Sequence, residues 1–316
     1  MYTLAWMKNK EWKENLPLDE LREDAVEWYW VDFDDPTKTE ESLLETHFDF
    51  HHLAVERCLG NVERPNAQFY GDYLFSILHH LNLETFKAEE MDCFLGEKLI
   101  VSFHKEKWKW IEKVKLKAKG CKKAEQLSPI DVFHMILDEL VDGYFPIMHQ
   151  LEDDITDLDE NTSDFSISET KNRVFVIRKQ LTRMHKTLSP MRDLVYHIMN
   201  STRLLQMEHH HIQFNDVYDH LTKLVDLLVT NRELTADIRD SCISSKDDQT
   251  NSLMKKLTMV AIIFNPLSFL TGLFGMNFVH MPVLKGQNNF YLSLIFMVVI
   301  AIGMYIWFRR KGWFDD

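Results

Sequence analysis

The chain has 316 residues, with 49 Asp and Glu against 36 Lys and Arg, and so a formal charge of −13. An acidic balance of that size excludes the phosphate backbone of nucleic acid as a partner and favours cations. Average hydropathy describes a water-soluble protein, yet the apolar residues gather near the C-terminus. There 257–274 and 290–308 carry no formal charge and are each long enough to cross a hydrocarbon core of about 30 Å.

In chain order, the opening MYTLAWMKNKEWKENL lacks a basic stretch leading into an apolar one, so no cleaved signal is expected. Residues 1–125 read as an α/β domain. EWYWVDF (27–33), DYLFSILHHL (72–81) and KLIVSFH (98–104) are short and rich in aromatic and branched residues, as strands are. TKTEESLLETHF (37–48) has helical spacing. From LSPIDVFHMILDELVDGYF (127–145) the periodicity is helical, broken by the polar turn ENTSDFSISET (160–170), so 126–213 reads as a helical hairpin region. Cys58, Cys93, Cys121 and Cys242 have no metal-site spacing and read as reduced packing residues. The three adjacent histidines of EHHHIQF (208–214) point in different directions and read as surface groups, and LEDDITDLDEN (151–161) reads as a solvated helical face.

Neither proline nor glycine interrupts the run from Asn215 to Asn265. Continued to Gly272 it predicts one helix of roughly 85 Å at 1.5 Å per residue, so 214–274 reads as a stalk whose last part is the first membrane span. A helix that long is expected to bundle with copies of itself. Backward from Gly272, alternating steps of four and three pick out Ser268, Asn265, Ala261, Thr258, Met254, Asn251, Asp247, Ser244 and Asp240, which are all small, polar or flexible. The positions between them, such as Val260, Ile263, Phe264 and Leu267, are large and apolar. Small residues also serve close helix packing. An amide at Asn265 in mid-membrane, however, needs protein or water beside it, and the seam continues into acidic residues. A water-filled pore between subunits accounts for both, with Met254 and Leu257 as an apolar constriction at its mouth. The loop 275–289 follows, then the second span 290–308 and the basic tail 309–316. Lys255 and Lys256 before the first span, and Arg309, Arg310 and Lys311 after the second, place both ends in the cytoplasm, because the loop carries only Lys285.

FNDVYDH (214–220), NSLMKKLT (251–258), FNPLSFLTGLFGMNF (264–278), the MP of the loop and WFRRKGWF (307–314) stand in the order and spacing of one family. The chain resembles the CorA family of magnesium channels, marked by Gly-Met-Asn after the first of two C-terminal spans. The resemblance implies a funnel-shaped homopentamer in the plasma membrane, or the inner membrane of a two-membrane cell. Each chain would bring a cytoplasmic α/β domain, long stalk helices and two transmembrane helices. It implies Gly275, Met276 and Asn277 as the selectivity filter, where Asn277 amides hydrogen-bond the waters of hydrated Mg2+, with Co2+ or Ni2+ as further cargo. Family members also bind regulatory Mg2+ between neighbouring cytoplasmic domains, through acidic residues matching Glu56 and Asp138 and a pair that includes Asp216. The partner of Asp216 is Arg57 here, which predicts an Arg57–Asp216 salt bridge in place of that site. The outer loop lacks the family's glutamates, carrying Val279 and Val283, and Phe274 replaces a common tyrosine. Expected partners are lipid, other copies of the chain and divalent cations, without nucleic acid or organic cofactor. No nucleophile–base pattern, phosphate-cradling loop or HExxH supports an enzyme. The competing readings are a zinc transporter of the same architecture and a membrane-tethered scaffold that does not conduct.

Overall fold

The computed structural model describes residues 1–60, 62–121, 125, 127–160, 166–203, 207–276 and 288–313. It divides into two compact units, Met1–Ile238 and Arg239–Asp316.

The first unit is built on a seven-stranded sheet. Its strands are β1 (Tyr2–Met7), β2 (Trp12–Glu14), β3 (Val26–Asp34), β4 (Asn66–Tyr70), β5 (Tyr73–Leu81), β6 (Ala88–Leu95) and β7 (Leu99–His104), in the order β2-β1-β3-β7-β6-β5-β4. Among the described strands only β3 and β7 pair in parallel, Asp32 opposite Ser102 and Asp34 opposite His104. Alternate residues of a strand point to opposite faces, and here both faces are covered. Trp28 and Trp30 of β3 join one core, while Tyr29, Val31 and Phe33 join the other. That is why the central strands read as unbroken apolar runs. Helix α1 (Lys38–Glu41), which buries no residue, leads into α2 (Leu43–Thr46) and α3 (His52–Leu59), and these two close the second face through Leu44, Val55 and Cys58. Thr37 caps α1 in a reciprocal box with Glu40.

The first face receives α4 (Lys109–Lys119), α5 (Pro129–Asp142), α6 (Tyr144–Glu160) and α7 (Ile167–Met199). Ser128 and Asp131 form the capping box of α5, with Pro129 at its first position, where the missing N–H costs nothing. The buried residues of α7, Val174, Ile177, Leu181, Met184, Leu188 and Met191, alternate steps of three and four. So do Phe214, Val217, Leu221, Leu224 and Leu228 on α8 (Met207–Phe274). A period of 3.5 residues is the pattern of a helix that keeps one face buried along its length. The helix begins at Met207, upstream of the expected stalk start, because the EHHHIQF segment is helical and His210 bonds Asp131 of α5 at 3.0 Å. Cys58, Cys93 and Cys242 are buried and Cys121 is half-buried.

The second unit holds the end of α8 and α9 (Asn289–Arg310), the two described helices long and apolar enough to cross a membrane. On α9 the less exposed residues Ser293, Met297, Ile300, Met304 and Phe308 recur at three and four. On α8 the less exposed residues are Met259, Ile263, Pro266, Leu267, Leu270 and Phe274. The helix runs through Pro266 without a break.

Candidate ion path and regulatory residues

Within the last turns of α8, the chain covers one side only. Thr258, Ala261, Asn265, Ser268 and Gly272 are all exposed, and none belongs to the covered set. At about 100° per residue, the mean directions of the two sets lie about 170° apart. The Asn265 amide has no hydrogen-bond partner in its own chain among the described residues. A methyl group placed on Gly272 would meet nothing within 4 Å, so packing within the chain does not call for glycine there. Toward the start of the span, Met254 is 57% exposed and Leu257 is 65% exposed. Asp240, Asp247 and Asn251 are likewise exposed along the helix.

Helix α8 closes on two backbone bonds, from Gly275 N–H to the carbonyl of Thr271 (2.9 Å) and from Met276 N–H to that of Leu273 (3.4 Å). A side chain at Gly275 would begin 3.2 Å from the Thr271 oxygen, a tight fit that favours glycine. Asn277, the third residue of the expected filter, lies outside the described residues, as does His280.

Of the expected regulatory residues, Glu56 is exposed on α3 and Asp216 is exposed on α8. Asp138 is half-buried on α5, 3.9 Å from Lys117 Nζ. Arg57 is engaged within its own chain. It donates from Nε and Nη2 to Glu63 at 3.0 and 2.8 Å and from Nη1 to Gln68 at 3.2 Å, and its guanidinium lies 5.6 Å over the Phe75 ring. The described residues contain no group of three or more His, Cys, Asp or Glu able to hold a metal within one chain. An ion bound through the acidic residues therefore has to draw ligands from more than one chain or keep most of its water.

Sequence reasoning missed a buried ionic network at the parallel strand pair. Asp32 accepts from Ser102 Oγ at 2.5 Å and from His104 Nε2 at 3.2 Å, and Lys115 Nζ of α4 lies 3.0 Å from its other oxygen. Burial alone pushes the Asp32 carboxyl up. The hydrogen bond and charge of His104, with Lys115, outweigh burial and leave it below the ordinary carboxylate value. Burial likewise pushes the His104 imidazole down, and Asp32 outweighs it, leaving the ring above its ordinary value. Asp92 shows the opposite balance: burial pushes its carboxyl well up, and the nearby cations Lys105 and Arg57 only partly oppose it.

The sequence model of the CorA-like Mg2+ transporter protein matches residues 26–310. The chain belongs to this family. It is 38% identical over 302 residues to YfjQ of Bacillus subtilis, covering 96% of this chain and 95% of the other. It is 29% identical over 271 residues to the cobalt/magnesium transport protein CorA of Thermotoga maritima, covering 84% and 77%. The complete structure of the CorA magnesium transporter from Methanocaldococcus jannaschii superposes with a TM-score of 0.87 over 99% of this chain and 98% of that one. Its sequence identity of 24% makes this a likeness of fold. The fold class expected from sequence, an N-terminal α/β domain followed by a long helix and a C-terminal apolar helix, is the one this family has.

Proposed function

We propose that the protein is a passive influx channel for hydrated Mg2+ in the plasma membrane, built by copies of this chain, five as in the family resemblance, around one axis. The observation that carries this is the exposed stripe from Asp240 to Gly272, facing away from the side its own chain covers. An unpaired amide and a run of small residues in a membrane span need water or another chain beside them. A ring of copies supplies both.

Mg2+ parts with its inner waters reluctantly, so an entrance of amide and carbonyl oxygens from Asn277, Met276 and Gly275 binds the ion through its water shell. Past it, Gly272, Ser268, Asn265, Ala261 and Thr258 line a narrow polar path. Met254 and Leu257 close it by excluding water when the ring is tight. With Lys255, Lys256 and the tail 309–311 in the cytoplasm, the membrane potential drives the ion inward. The drive is about 2.3 kcal/mol per charge per 100 mV, doubled for a divalent ion. Glu56 and Asp138 hold regulatory Mg2+ between neighbouring chains, and Arg57 pairs with Asp216 of the next chain, leaving that second site without a metal.

Purified protein in liposomes, loaded with a Mg2+-sensitive dye, tests the reading. Uptake that is dissipative, follows the potential and is lost in Asn277→Ala supports it. No uptake returns the scaffold reading, and Zn2+ flux that exceeds and blocks Mg2+ flux returns the zinc reading.

A further inference from the structure

At the β4 edge of the sheet, β5 outruns its partner. The pairing with β4 stops at Asn66 opposite Ile77, while β5 continues against β6 as far as Leu81 opposite Ala88. The segment entering β4 and the stretch of α7 from Arg183 to Pro190 enclose the space beyond it, a cavity of about 630 Å³. Small organic ligands occupy sites of roughly 300–1,000 Å³.

Four cations stand around this cavity: Arg64, Lys87, Arg183 and Lys186. None is paired with a carboxylate among the described residues, although the chain carries a net −13. Arg183 donates to the carbonyl of Thr85 at 2.9 Å, which fixes α7 against the β5–β6 turn and leaves the rest of its guanidinium free. Glu63, the one acidic residue in the wall, is occupied by Arg57. The cations therefore lack an anion, and no carboxylate is left over to share a metal. Between them the wall is mostly apolar, with Val62, Phe86, Ala88 and Pro190, and His185, Thr187 and Ser189 of α7 complete it.

A buried polar atom adds a second requirement. His79 lines the cavity and is 5% exposed. Its Nε2 sits 2.6 Å from the carbonyl of Glu63, so Nε2 carries the proton and donates. Its Nδ1 is then an acceptor, and it has no partner. A fully ionised phosphate cannot donate a hydrogen bond to it, whereas a sugar hydroxyl can.

We propose that this cavity binds a nucleoside di- or triphosphate in its Mg2+-free form. The phosphates take the four unpaired cations, the base lies on the apolar wall, and the sugar hydroxyl donates to His79 Nδ1. Charge complementarity sets the preference for the free nucleotide, since the chelate carries less negative charge and its metal would meet only cations. A ligand whose charge falls on taking up Mg2+ reports the free ion, a meaning that rests on the Mg2+ reading above; the binding does not.

Calorimetric titration of the full-length protein in detergent, with ATP in excess EDTA, tests it without any measurement of transport. Binding is expected to be at least tenfold tighter than for MgATP, to weaken with salt, and to fall at least tenfold in Lys87→Met/Lys186→Met. Both of those side chains are exposed, so the fold is kept, and an unchanged melting temperature checks this. His79→Phe, which fills the ring's space without an acceptor, should weaken ATP while leaving pyrophosphate unchanged. Absence of ATP binding, equal affinity for the chelate, binding indifferent to the two lysines, or pyrophosphate binding as tightly as ATP would each overturn the assignment.

Discussion

Replacing Arg57 by Asp restores the acidic residue that the family resemblance places opposite Asp216, and the structure says what that costs. The variant loses two bonds to Glu63 and one to Gln68. The Arg57 side chain is 21% exposed and that of Glu63 is 43% exposed, so the ion pair belongs at the solvent-screened end, about 0.2–1 kcal/mol. The cation over the Phe75 ring adds about 0.5–1 kcal/mol. Without divalent ions, Arg57→Asp should therefore be about 1–2 kcal/mol less stable, a drop of roughly 2–8 °C for a unit of this size. If the new carboxylate and Asp216 of the next chain now hold Mg2+, saturation to about 100 times the dissociation constant returns about 2.7 kcal/mol. Thermal melting of the detergent-solubilised protein, with and without Mg2+ at constant ionic strength, reads both numbers. The Mg2+-dependent rise should exceed that of the wild type, and the excess should vanish when Asp216→Asn is added. A wild-type protein that already gains several degrees in Mg2+, and loses them in Asp216→Asn, would refute the replacement of a metal by Arg57.

Gly272→Leu should leave the melting of the Met1–Ile238 unit unchanged, because no described neighbour outside its own helix lies within 4 Å, and should cut Mg2+ uptake at least tenfold in the liposome assay. Leu257→Ser should raise Mg2+ leak severalfold, since a hydroxyl at the apolar constriction lowers the cost of wetting it; unchanged flux would move the gate elsewhere. Lys115→Met should cost about 3–5 kcal/mol in chemical denaturation, because Asp32 stays buried with one oxygen stripped of its cation. The Asp32–His104 pair should also shape stability against pH. The raised imidazole contributes fully below its ordinary 6.5, and that contribution is lost as pH rises through the raised value. The lowered carboxyl contributes above its ordinary 3.8 and loses this as pH falls through the lowered one. Denaturation should accordingly show the pair's greatest contribution between those two ordinary values, and a profile in Asp32→Asn identical to wild type would count against it.

The strands read from sequence, in β3, β5 and β7, lie in the middle of the sheet with both faces covered, and so wrote apolar runs that need no context. Strand β6 lies between two of them and was not legible. Its Glu89, Glu90 and Asp92 make AEEMDCFL look like surface, while Asp92 is buried with its carboxyl pushed up by burial. Edge strand β4, NAQFY, is half-exposed and carries no pattern to find. The same limit applies to sites. The 3.5-residue stripe was legible because one helix holds all of it. The Asp32–His104–Lys115 network depends on the parallel register of strands some 70 residues apart, and the four-cation cavity joins positions from Arg64 to Lys186. For Arg57 the sequence pointed to a distant partner, Asp216, and not to the acid it meets within the chain, Glu63, six residues on.

Helix α8 carries two seams of the same period. One, at Phe214, Val217, Leu221, Leu224, Leu228, Asn231, Thr235 and Ile238, is buried by the chain itself and then returns at Met259, Ile263, Pro266 and Leu270 in the same sevenfold numbering. The other, from Asp240 to Gly272, is exposed at each of its positions. A straight helix drifts by about 20° per heptad against such a repeat, so a face maintained over more than four heptads implies a neighbour, or an axis, that holds it. For the first seam that neighbour is visible. For the second, a lipid neighbour would favour large apolar residues, of the kind at Val260, Phe264 and Phe269 on the same helix, rather than Asn265, Ser268 and Gly272. The two seams therefore ask for different company. One is satisfied by folding, and the other fits the assembly around water proposed above.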